Sequence, residues 1–405
     1  MSVVVVGGGP AGLACALELR RRGVRDVVVL DREEQAGGIP RHCAHQGFGL
    51  RDLRRPLNGP GYARRYVELA REAGVEVRTA STVTGWSADA ALEVTTTSGR
   101  DVMRGDAIVL ATGCRERPRS ARLVPGSRPE GVLTTGLLQQ LAQRGAPIGT
   151  RALVVGAEHV SFSAVLTLAH AGVRVVGMAT ERQRHQSLPL AGAAASLRYR
   201  MPLWTRTAVA AIRGRSRVEE VELRELETGR SHIVVCDTIV FTGDWIPDHE
   251  LAVLGGLDLD PGTQGPRVDT ALRTSRPGVF AAGNLLQGAE PADVAALAGR
   301  HAAVSSVTTW LDERDWRPQV HVSCLAPLAW ISPNAVSDAA VPPRGRFLLR
   351  SARFLERPRI DIRQEGRTLW SGRLRRLSPG RSTALPHDWI ARVDPKDGPI
   401  DVSAH

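Results

Sequence analysis

The amino terminus carries the feature that most restricts the fold of this 405-residue chain. An apolar strand, Val3 to Val6, runs directly into Gly7-x-Gly9-x-x-Gly12 and then into helix-forming residues. Gly7 permits a tight turn, Gly9 lets the backbone approach a pyrophosphate, and Gly12 lets helix and strand pack closely. The helix amino terminus offers N–H groups to an anion. This order predicts a phosphate-binding turn between a strand and a helix.

A second strand follows the helix and ends in an acidic residue. Val27 to Leu30 leads into Asp31, 19 residues past Gly12, where a carboxylate can accept hydrogen bonds from a ribose hydroxyl. A glycine-rich turn alone would also fit a purely structural role. Because strand, helix and acid are all in register, the segment predicts a dinucleotide-binding βαβ unit.

Composition limits the remaining possibilities. The length favours two or three domains, and no apolar run reaches the roughly 18 residues of a membrane helix. Because the first predicted strand already begins at Val3, no residues remain before it for a signal peptide, and we expect none. Five cysteines without a C-x-x-C pair argue against a redox disulfide, a zinc ribbon or an iron–sulfur site, and favour a cytoplasmic chain. They are Cys15, Cys43, Cys114, Cys236 and Cys324.

The net charge of +11 raises the question of nucleic acid. The arginine clusters are poor, since Arg20 to Arg22 close a predicted helix, where positive charge suits the helix dipole, and Arg373, Arg375 and Arg376 lie in a predicted hairpin. We therefore expect no nucleic-acid partner, and the charge favours an acidic protein partner or an anionic substrate.

A second βαβ pattern begins in the middle of the chain. Strand Ala152 to Val155 leads through Gly156 into a helix from Val160 to Ala171 and a strand from Val173 to Met178. Short antiparallel strands then cover 206–242, and Pro291 opens a helix that we expect to reach about Leu311. Residues 316–405 alternate like strands and predict a small β-rich module.

These motifs resemble a known superfamily. The first glycine motif with Asp31, Ala111-Thr112-Gly113, Thr242-Gly243, and Thr274 to Asn284 occur in the order found in the two-dinucleotide-binding flavoproteins of the pyridine nucleotide-disulfide oxidoreductase superfamily. The resemblance implies an α/β fold with two Rossmann-like three-layer dinucleotide-binding domains and a small β-rich C-terminal domain. The NAD(P)-type domain, 119–256, is inserted in a discontinuous FAD domain of 1–118 and 257–315, and 316–405 follows.

The resemblance also implies two sets of binding residues. For FAD they are Gly7, Gly9, Pro10, Ala11, Gly12, Asp31, Arg32, Gly38, Ile39, Arg41, His42, Val83, Ala111, Thr112, Gly113, Gly283, Asn284 and Ala292. For NAD(P) or another adenine nucleotide they are Gly156, Glu158, His159, Thr180, Glu181 and Gly243.

A narrower resemblance concerns the long loop after Asp31. Gly37 to His42, His45 to Leu50 and Gly59 to Ala63 look like flavoprotein subunits of multi-component dehydrogenases, such as the FAD subunits of opine oxidases, hydrogen cyanide synthase, dye-linked proline dehydrogenases and oxidoreductases that accompany glycerol-3-phosphate dehydrogenases. It implies an enzyme that moves hydride from a C–N or C–O centre of an amino or hydroxy acid to FAD, and onward to a partner subunit or acceptor.

The sequence departs from the superfamily pattern at both nucleotide motifs. The closing Gly-Asp is Gly283-Asn284, and an Asn side chain can still hydrogen-bond ribityl or pyrophosphate oxygens. The second motif keeps only Gly156, and Glu158 would bring a carboxylate close to a pyrophosphate. Thr180 stands where an acid would select NAD, with Glu181 one step late. The second site is therefore open between a working NAD(P) site and one that is degenerate, empty or filled by another nucleotide.

The third departure concerns the redox cysteines of the superfamily's disulfide reductases. Neither a C-x-x-x-x-C after the Gly-Gly nor a C-x-x-C in the second unit exists, and counting seven residues on from Gly38 gives His45. An imidazole there could donate to the flavin or accept a substrate proton. A loop histidine in a structural hydrogen bond is the alternative, and Cys43 nearby is expected to be packed rather than catalytic.

The helix from Pro291 has an implied role as well. Its amino terminus would point at the flavin N1/C2=O locus, where the macrodipole stabilises negative charge. Glu290 and Asp293 would oppose that charge unless they act as ordinary helix caps, and His301 is expected to be packed.

Three other interpretations of the chain stay open. A self-sufficient NAD(P)H-dependent flavin reductase would be reduced directly by NADH or NADPH. A flavin-binding protein associated with RNA would need a basic groove. A non-catalytic assembly or regulatory subunit would hold flavin for structure alone. Residues 316–405 could likewise serve as a docking module or as a stabilising cap.

Overall fold

The computed structural model describes residues 1–87, 91–186, 201–288, 290–337 and 340–405. The α-helices are, in chain order, α1 Pro10–Arg21, α2 Gly59–Glu72, α3 Thr135–Gln143, α4 His159–His170, α5 Glu250–Leu254, α6 Ala292–Ala302 and α7 Thr308–Glu313. Short 3-10 turns cover Ile39–His42, Ser120–Arg122, Gly283–Leu285, Pro343–Gly345 and Asp388–Arg392, and a π-helical turn covers Ala303–Val307.

The strands of the first half of the chain are β1 Ser2–Val6, β2 Asp26–Leu30, β3 Gln46–Phe48, β4 Leu57–Asn58, β5 Glu76–Arg78, β6 Ser81–Trp86, β7 Leu92–Thr96, β8 Gly99–Met103, β9 Ala107–Leu110, β10 Cys114–Glu116, β11 Val132–Thr134, β12 Arg151–Val155 and β13 Arg174–Ala179. Those that follow are β14 Leu203–Trp204, β15 Thr207–Arg213, β16 Glu220–Glu225, β17 Ser231–Val235, β18 Thr238–Phe241, β19 Trp245–Pro247, β20 Val279–Ala281, β21 Val320–Cys324, β22 Leu328–Ser332, β23 Ala335–Val336, β24 Phe347–Ser351, β25 Leu355–Glu356, β26 Arg359–Gln364, β27 Arg367–Arg373, β28 Arg376–Leu377, β29 Thr383–Leu385 and β30 Ile400–Ala404.

The chain forms two compact units. The first consists of Met1–Arg41, Gln46–Arg115 and Pro247–His405, and the second of His42–His45 and Glu116–Ile246. Residues 316–405 thus belong to the first unit, together with most of both parts of the predicted FAD domain, from which His42–His45 and residues 116–118 are excluded. The domain boundaries at 118, 256 and 315 stay predictions.

The first unit is built on a parallel sheet. Its strand order is β20-β9-β1-β2-β5, and Val3 of β1 lies between Val27 of β2 and Ala107 of β9. Both faces are covered, which explains the nearly continuous run of buried valines in β1. Helices α1 and α6 pack on each other beside it, and the antiparallel sheet β6-β7-β8 completes this part of the unit.

The second unit repeats the parallel pattern. Its main sheet has the order β11-β18-β12-β13-β14, with α4 as the crossover between β12 and β13. A separate antiparallel sheet, β15-β16-β17, confirms the antiparallel strands that we predicted for most of 206–242. The prediction is wrong for β18, which lies between β11 and β12 in the parallel sheet, because all four of its residues are buried as in a sheet covered on both faces. The predicted second βαβ unit is present.

The carboxy-terminal residues form β-structure around a core of their own. Two sheets, β23-β21-β30-β26-β27 and β22-β24-β29, enclose buried side chains such as Phe347, Ile362 and Trp389. The predicted α/β fold with two Rossmann-like domains and a β-rich C-terminal region is confirmed.

Helix ends differ from the predictions for local reasons. Helix α1 begins at Pro10, because a proline suits the first helical turn. Helix α2 begins at Gly59, because Asn58 caps it by accepting a hydrogen bond from the Gly61 N–H (2.8 Å). The helix after Pro291 is not continuous to Leu311, since the π-helical turn divides it into α6 and α7.

Candidate functional site

The first glycine turn is shaped by close backbone contacts. Gly7 has a φ of 109°, and a Cβ there would lie 2.3 Å from the Ala111 carbonyl oxygen. A Cβ on Gly12 would lie 1.9 Å from the Gly7 carbonyl oxygen. Both positions therefore require glycine for packing within the protein, as the motif predicts.

Gly9 is different, because the space above it is open. Its backbone is extended, with φ −82° and ψ −173°, and the nearest atom to an added Cβ is the Gly38 Cα at 3.9 Å. Ala11 and Gly12 lie in the first turn of α1, where backbone N–H groups have no hydrogen-bond partner within the helix. Pro10, the first residue of α1, has no N–H group. Open space and free donors fit the pyrophosphate of FAD.

Asp31 at the end of β2 stabilises this turn. Its Oδ2 accepts a hydrogen bond from the Gly8 N–H (2.9 Å), and its Oδ1 accepts one from the Glu33 N–H (2.8 Å). Burial raises the pKa of this carboxyl, while the two backbone donors oppose the rise. A carboxylate has about four acceptor positions, so two remain for a ribose hydroxyl.

The loop after Asp31 returns to the glycine turn. Gly38, with a φ of 63°, approaches Gly9 so closely that a Cβ would lie 2.9 Å from its Cα. Arg41 Nε donates to the Gly38 carbonyl oxygen (3.3 Å), which fixes the short helical turn, and Ile39 is 56% exposed. Arg32 lies 3.3 Å from Asp248.

The segment Ala111 to Gly113 is tied to the point where the chain returns to the first unit. Thr112 Oγ1 donates to the Asp248 carbonyl oxygen (2.8 Å), and the Asp248 N–H donates to the Gly113 carbonyl oxygen (3.0 Å). Arg115 pairs with the Asp248 carboxylate at 2.6 Å. This network holds the end of β9 in place beside the glycine turn. Val83, also a predicted FAD contact, lies half-buried in β6.

Gly283 lies against the amino-terminal turn although it is far away in sequence. Its φ is 77°, and a Cβ there would lie 2.6 Å from the Ala11 Cβ. Gly299 of α6 approaches closer still, since its Cβ would lie 1.9 Å from the Ala11 carbonyl oxygen. The structure thus joins the two segments that the sequence predicts to enclose FAD. The contact between Gly299 and α1 was not predicted, because a single glycine in a helix does not indicate which helix packs against it.

Asn284 uses its side chain to fix the following loop. Its Nδ2 donates to the Glu290 carbonyl oxygen (3.1 Å), and its Oδ1 accepts from the Glu290 N–H (3.2 Å). The amide retains one further N–H and one further lone pair for a ligand. Ala292, another predicted contact, is the first residue of α6.

The acids at the start of α6 are both neutralised by arginines. Asp293 is 3% exposed and accepts hydrogen bonds on both oxygens from Arg51 Nη1 (3.0 and 2.9 Å). Glu290 lies 3.7 Å from Arg350 and also accepts from Ser382 Oγ. The expected conflict between these acids and a negative charge at the helix amino terminus is therefore reduced. No sequence pattern indicated either partner, since both arginines lie far from α6 along the chain.

We expect Arg51→Gln to destabilise the protein. Removing the cation leaves the Asp293 carboxylate buried with the backbone N–H of residue 51 (3.3 Å) but without its counter-charge, and breaking a fully buried pair costs about 3 to 5 kcal/mol. Arg51 is 51% exposed, so we expect a loss of about 1 to 3 kcal/mol in the free energy of unfolding. Urea denaturation measures it, and Asp293→Asn in the same background should recover part of the loss. Equal stability of Arg51→Gln and the native protein would contradict the assignment.

A buried polar cluster fixes the loop that carries Arg51. Asp52 Oδ2 accepts hydrogen bonds from the hydroxyls of Tyr62 (2.5 Å) and Tyr66 (2.7 Å), and Arg300 of α6 donates to the Asp52 carbonyl oxygen (3.3 Å). Burial raises the pKa of both tyrosines, so both hydroxyls remain protonated donors at neutral pH. The cluster connects the loop to α2 and α6.

His301 is packed, in agreement with its expected structural role. Its Nε2 lies 2.8 Å from the Thr270 carbonyl oxygen, and burial lowers the pKa of its imidazole. The unfolded chain therefore binds a proton more readily than the folded protein does, and stability falls as the pH drops below about 6.5.

We expect His301→Gln to flatten that pH dependence. One proton contributes at most about 1.4 kcal/mol per pH unit to the free energy of unfolding. Urea denaturation between pH 7.5 and pH 5 measures the slope, with His170→Gln, at an exposed position, as the control. An unchanged slope in His301→Gln would show that other groups cause it.

The predicted residues His42 and His45 belong to the second unit. His42 Nδ1 lies 2.5 Å from Gln143 Oε1, and Cys43 Sγ donates to Gln139 Oε1 (3.4 Å). Burial raises the pKa of the Cys43 thiol to about 12, which keeps it protonated and unreactive at neutral pH. The FAD contact of His42 and the catalytic role of His45 stay predictions.

In the second unit, Glu158 occupies the turn where a pyrophosphate would bind. Its Oε1 accepts from Thr242 Oγ1 (2.6 Å), its Oε2 accepts from the Ala157 N–H (3.0 Å), and its own N–H donates to Ser161 Oγ (3.1 Å). A Cβ on Gly243 would lie 2.5 Å from Glu158 Oε1. The carboxylate thus takes the place of an external anion at the start of α4.

A cation accompanies this carboxylate. Arg122 donates to the carbonyl oxygens of Thr242 (3.1 Å) and Gly243 (2.8 Å), and burial lowers the pKa of its guanidinium while Asp244 and Glu158 raise it. The residues of this turn therefore fit a capped helix better than a bound pyrophosphate.

The remaining predicted residues of the second site line the ends of its strands and helix. Gly156 has a φ of 134°, His159 is the first residue of α4 and is exposed, and Glu181 is exposed beyond β13. Thr180 is buried, and its N–H donates to the Trp204 carbonyl oxygen (2.9 Å). No acid therefore stands at the end of β13 itself.

Two other kinds of feature are missing from the described residues. None of the helices there is long and apolar enough to cross a membrane. The same residues contain no cluster of three or more histidine, cysteine or acidic side chains that could hold a metal ion.

Comparison with known proteins agrees with this geometry. The HcnB subunit of hydrogen cyanide synthase from Pseudomonas aeruginosa is 31% identical over 198 residues, which are 46% of this chain and 41% of that protein. A subunit of the opine oxidase of Rhizobium meliloti is 26% identical over 339 residues, 75% of this chain and 62% of that protein. The matches thus span less than two thirds of either relative.

Solved structures show the same fold. The crystal structure of thioredoxin reductase from Lactococcus lactis superposes with a TM-score of 0.64 at 21% identity, covering 77% of this chain and 99% of that one. The family described as pyridine nucleotide-disulphide oxidoreductase matches residues 1–299. The chain therefore belongs to this family of FAD-dependent oxidoreductases, whose members bind FAD and NAD(P).

Proposed function

We propose that the protein is the flavoprotein subunit of a multi-component dehydrogenase or oxidase. In this role it oxidises a C–N or C–O centre of an amino or hydroxy acid and passes the electrons to a partner subunit or acceptor. FAD supplies the hydride-accepting chemistry when bound. The chain's own residues bind the cofactor at the Gly9 turn, close it in with Gly283, and balance the charges at the start of α6.

The observation that carries the proposal is the position of Glu158. A nicotinamide nucleotide in the standard orientation places its pyrophosphate at the turn before α4. There the Glu158 carboxylate already accepts hydrogen bonds from Ala157 and Thr242. Two anions cannot share these donors without a large electrostatic cost. NAD(P)H is therefore disfavoured as the direct electron donor or acceptor.

A disulfide relay is disfavoured as well. All five cysteines carry free thiols, and their spacing excludes the paired motifs of disulfide reductases. Burial raises the pKa of Cys43 to about 12 and that of Cys236 to about 11, so neither forms a thiolate at neutral pH. An electron path through another polypeptide is the simplest alternative.

The names of two relatives support an assembly. The matching chains of hydrogen cyanide synthase and opine oxidase are both named as subunits. We infer a partner for this chain by the same logic. Residues 316–405 form a β-rich region with its own core, which suits a docking module, and a stabilising cap is the alternative role.

The charges near α6 favour an anionic substrate. Arg344 lies within electrostatic range of Arg51 and Arg346 and of the acids Asp293 and Glu290, and burial lowers the pKa of its guanidinium. With Arg350 beside Glu290 and Arg51 beside Asp293, Arg344 and Arg346 add positive charge near the start of α6. The excess positive charge suits the carboxylate of an amino or hydroxy acid.

Anaerobic bleaching of the FAD-loaded protein tests the proposal. The chain is co-purified with the products of neighbouring genes and mixed with NADH, NADPH, and a panel of amino and hydroxy acids. We expect an acid to bleach the flavin absorbance and a co-purified subunit to accelerate its reoxidation. Bleaching by NADPH alone would instead identify a self-sufficient reductase. Failure of every donor would favour a non-catalytic subunit.

A further inference from the structure

A polar cavity lies in the carboxy-terminal region, at the turn between β28 and β29. Its volume is about 260 Å³, and it is lined by Arg376, Ser378, Arg381, Ser382, Thr383 and Ala384. The Arg381 N–H donates to the Ser378 carbonyl oxygen (3.2 Å), which closes the turn and places two arginines and three hydroxyl side chains around one space. Clefts for drug-sized ligands measure about 300 to 1,000 Å³, so this one suits a small ligand.

The two arginines of this cavity form no close ion pair. Across the described ranges, neither Arg376 nor Arg381 has a side-chain hydrogen bond or an ion pair, although Glu356 lies opposite Arg376 in the β25–β28 pair. Other arginines of the same region are paired, as Arg359 and Arg363 are with Asp361 (3.2 and 3.4 Å). A guanidinium offers several N–H donors in a planar fork, and its strongest partners are oxyanions.

Ser378 supplies a separate indication of a ligand. The residue is 8% exposed, and its buried Oγ has no hydrogen-bond partner within the part of the chain that the structure describes. Buried polar atoms are nearly always satisfied in folded proteins, and leaving one unsatisfied costs about 1 to 3 kcal/mol. An acceptor atom beside the two arginines would satisfy this hydroxyl.

We propose that this cavity binds a small tetrahedral oxyanion, the phosphate group of a small molecule. Arg376 and Arg381 would neutralise the charge, and the hydroxyls of Ser378 and Thr383 would donate to its remaining oxygens. The three terminal oxygens of a phosphate group match this set of donors better than the two of a carboxylate.

The cavity wall is connected to the segment that encloses FAD. Ser382 Oγ donates to the Glu290 carboxylate and accepts from Arg350 Nη2 (3.1 Å). The backbone of Glu290 in turn bonds to the side chain of Asn284, next to Gly283. A ligand that shifts Ser382 would therefore also shift Glu290 at the start of α6.

Isothermal titration of the full-length, FAD-loaded protein with inorganic phosphate tests the proposal. The buffer contains chloride at matched ionic strength, and acetate is titrated separately. We expect saturable binding at one site, and a loss of about tenfold in affinity for each of Arg376→Gln and Arg381→Gln. Arg353→Gln, an exposed arginine of the same region outside the cavity, should change the affinity less than about twofold.

Three results would overturn the proposal. One is the absence of saturable phosphate binding by the native protein. Another is binding that is unchanged in both arginine variants, which would place the anion elsewhere. The third is acetate binding as tight as phosphate binding, which would indicate a carboxylate, such as an acidic side chain of a protein partner. The FAD content and the circular dichroism spectrum of each variant are compared with those of the native protein. Ser378→Ala, which changes no charge, should also weaken phosphate binding.

Discussion

A folded but colourless protein is the expected result of Gly9→Val. The Gly9 backbone is extended at φ −82°, a conformation open to any residue, and the nearest atom to an added Cβ is 3.9 Å away. A Cβ therefore fits beside the polypeptide, and the γ-methyl groups of valine extend into the space that a pyrophosphate needs. If it removes two charge-assisted hydrogen bonds of about 1.5 to 3 kcal/mol each, FAD affinity falls about a hundredfold or more.

Two further variants separate cofactor loss from misfolding. Gly12→Ala places a Cβ 1.9 Å from the Gly7 carbonyl oxygen, so we expect it to reduce folding itself. Gly136→Ala, in α3, meets only a side-chain oxygen at 3.4 Å, so we expect unchanged FAD content and a stability that is equal or slightly higher. The measurements are the ratio of flavin to protein absorbance and a thermal melt. Full FAD occupancy in a folded Gly9→Val protein would refute the assignment of the first site.

The sequence predicted the parts of the site that depend on local backbone shape. Gly7, Gly9 and Gly12 could be assigned because strand, turn and helix follow one another directly. Gly7 and Gly12 meet a neighbouring strand or the turn itself, and Gly9 leaves open space beside the turn. Gly283 could be placed through the order of motifs, and the structure brings it to Ala11.

The parts that were missed depend on contacts between segments distant in sequence. Arg51 neutralises Asp293 across 242 residues, and Arg350 approaches Glu290 from a strand of the carboxy-terminal region. Because arginine is abundant in this chain, the order of charges in the sequence does not indicate which arginine pairs with which acid. Gly299 is similar, because its role is visible only once α6 lies on α1.

The role of Glu158 could be predicted only in part. The sequence indicated that a carboxylate would lie near the pyrophosphate position, but not what it would do there. The structure provides its partners, since Thr242, Ala157 and the cation Arg122 surround it and turn an unfavourable charge into a helix cap. This arrangement makes a specific prediction about nucleotide affinity, which concerns the second unit alone.

Glu158→Gly is expected to increase the affinity for NADH or NADPH. Two like charges about 4 Å apart at an effective dielectric constant near 20 repel by about 4 kcal/mol, and loss of the cap offsets part of this gain by about 1 kcal/mol. The variant would also expose the Ala157 N–H, and Arg122 would lose its carboxylate neighbour. The net gain of about 3 kcal/mol corresponds to an increase of about a hundredfold in affinity.

Equilibrium titration of nucleotide into the FAD-loaded protein measures this effect without relying on turnover. Glu181→Gln is the matched control, because Glu181 is an exposed acid of the same unit beyond β13, and its removal should change affinity less than about threefold. ADP-ribose should follow NADH, since both carry the pyrophosphate that Glu158 repels. Tight NADPH binding by the native protein that is unchanged in Glu158→Gly would contradict this account of the second unit, and with it the main support for an electron path through a partner.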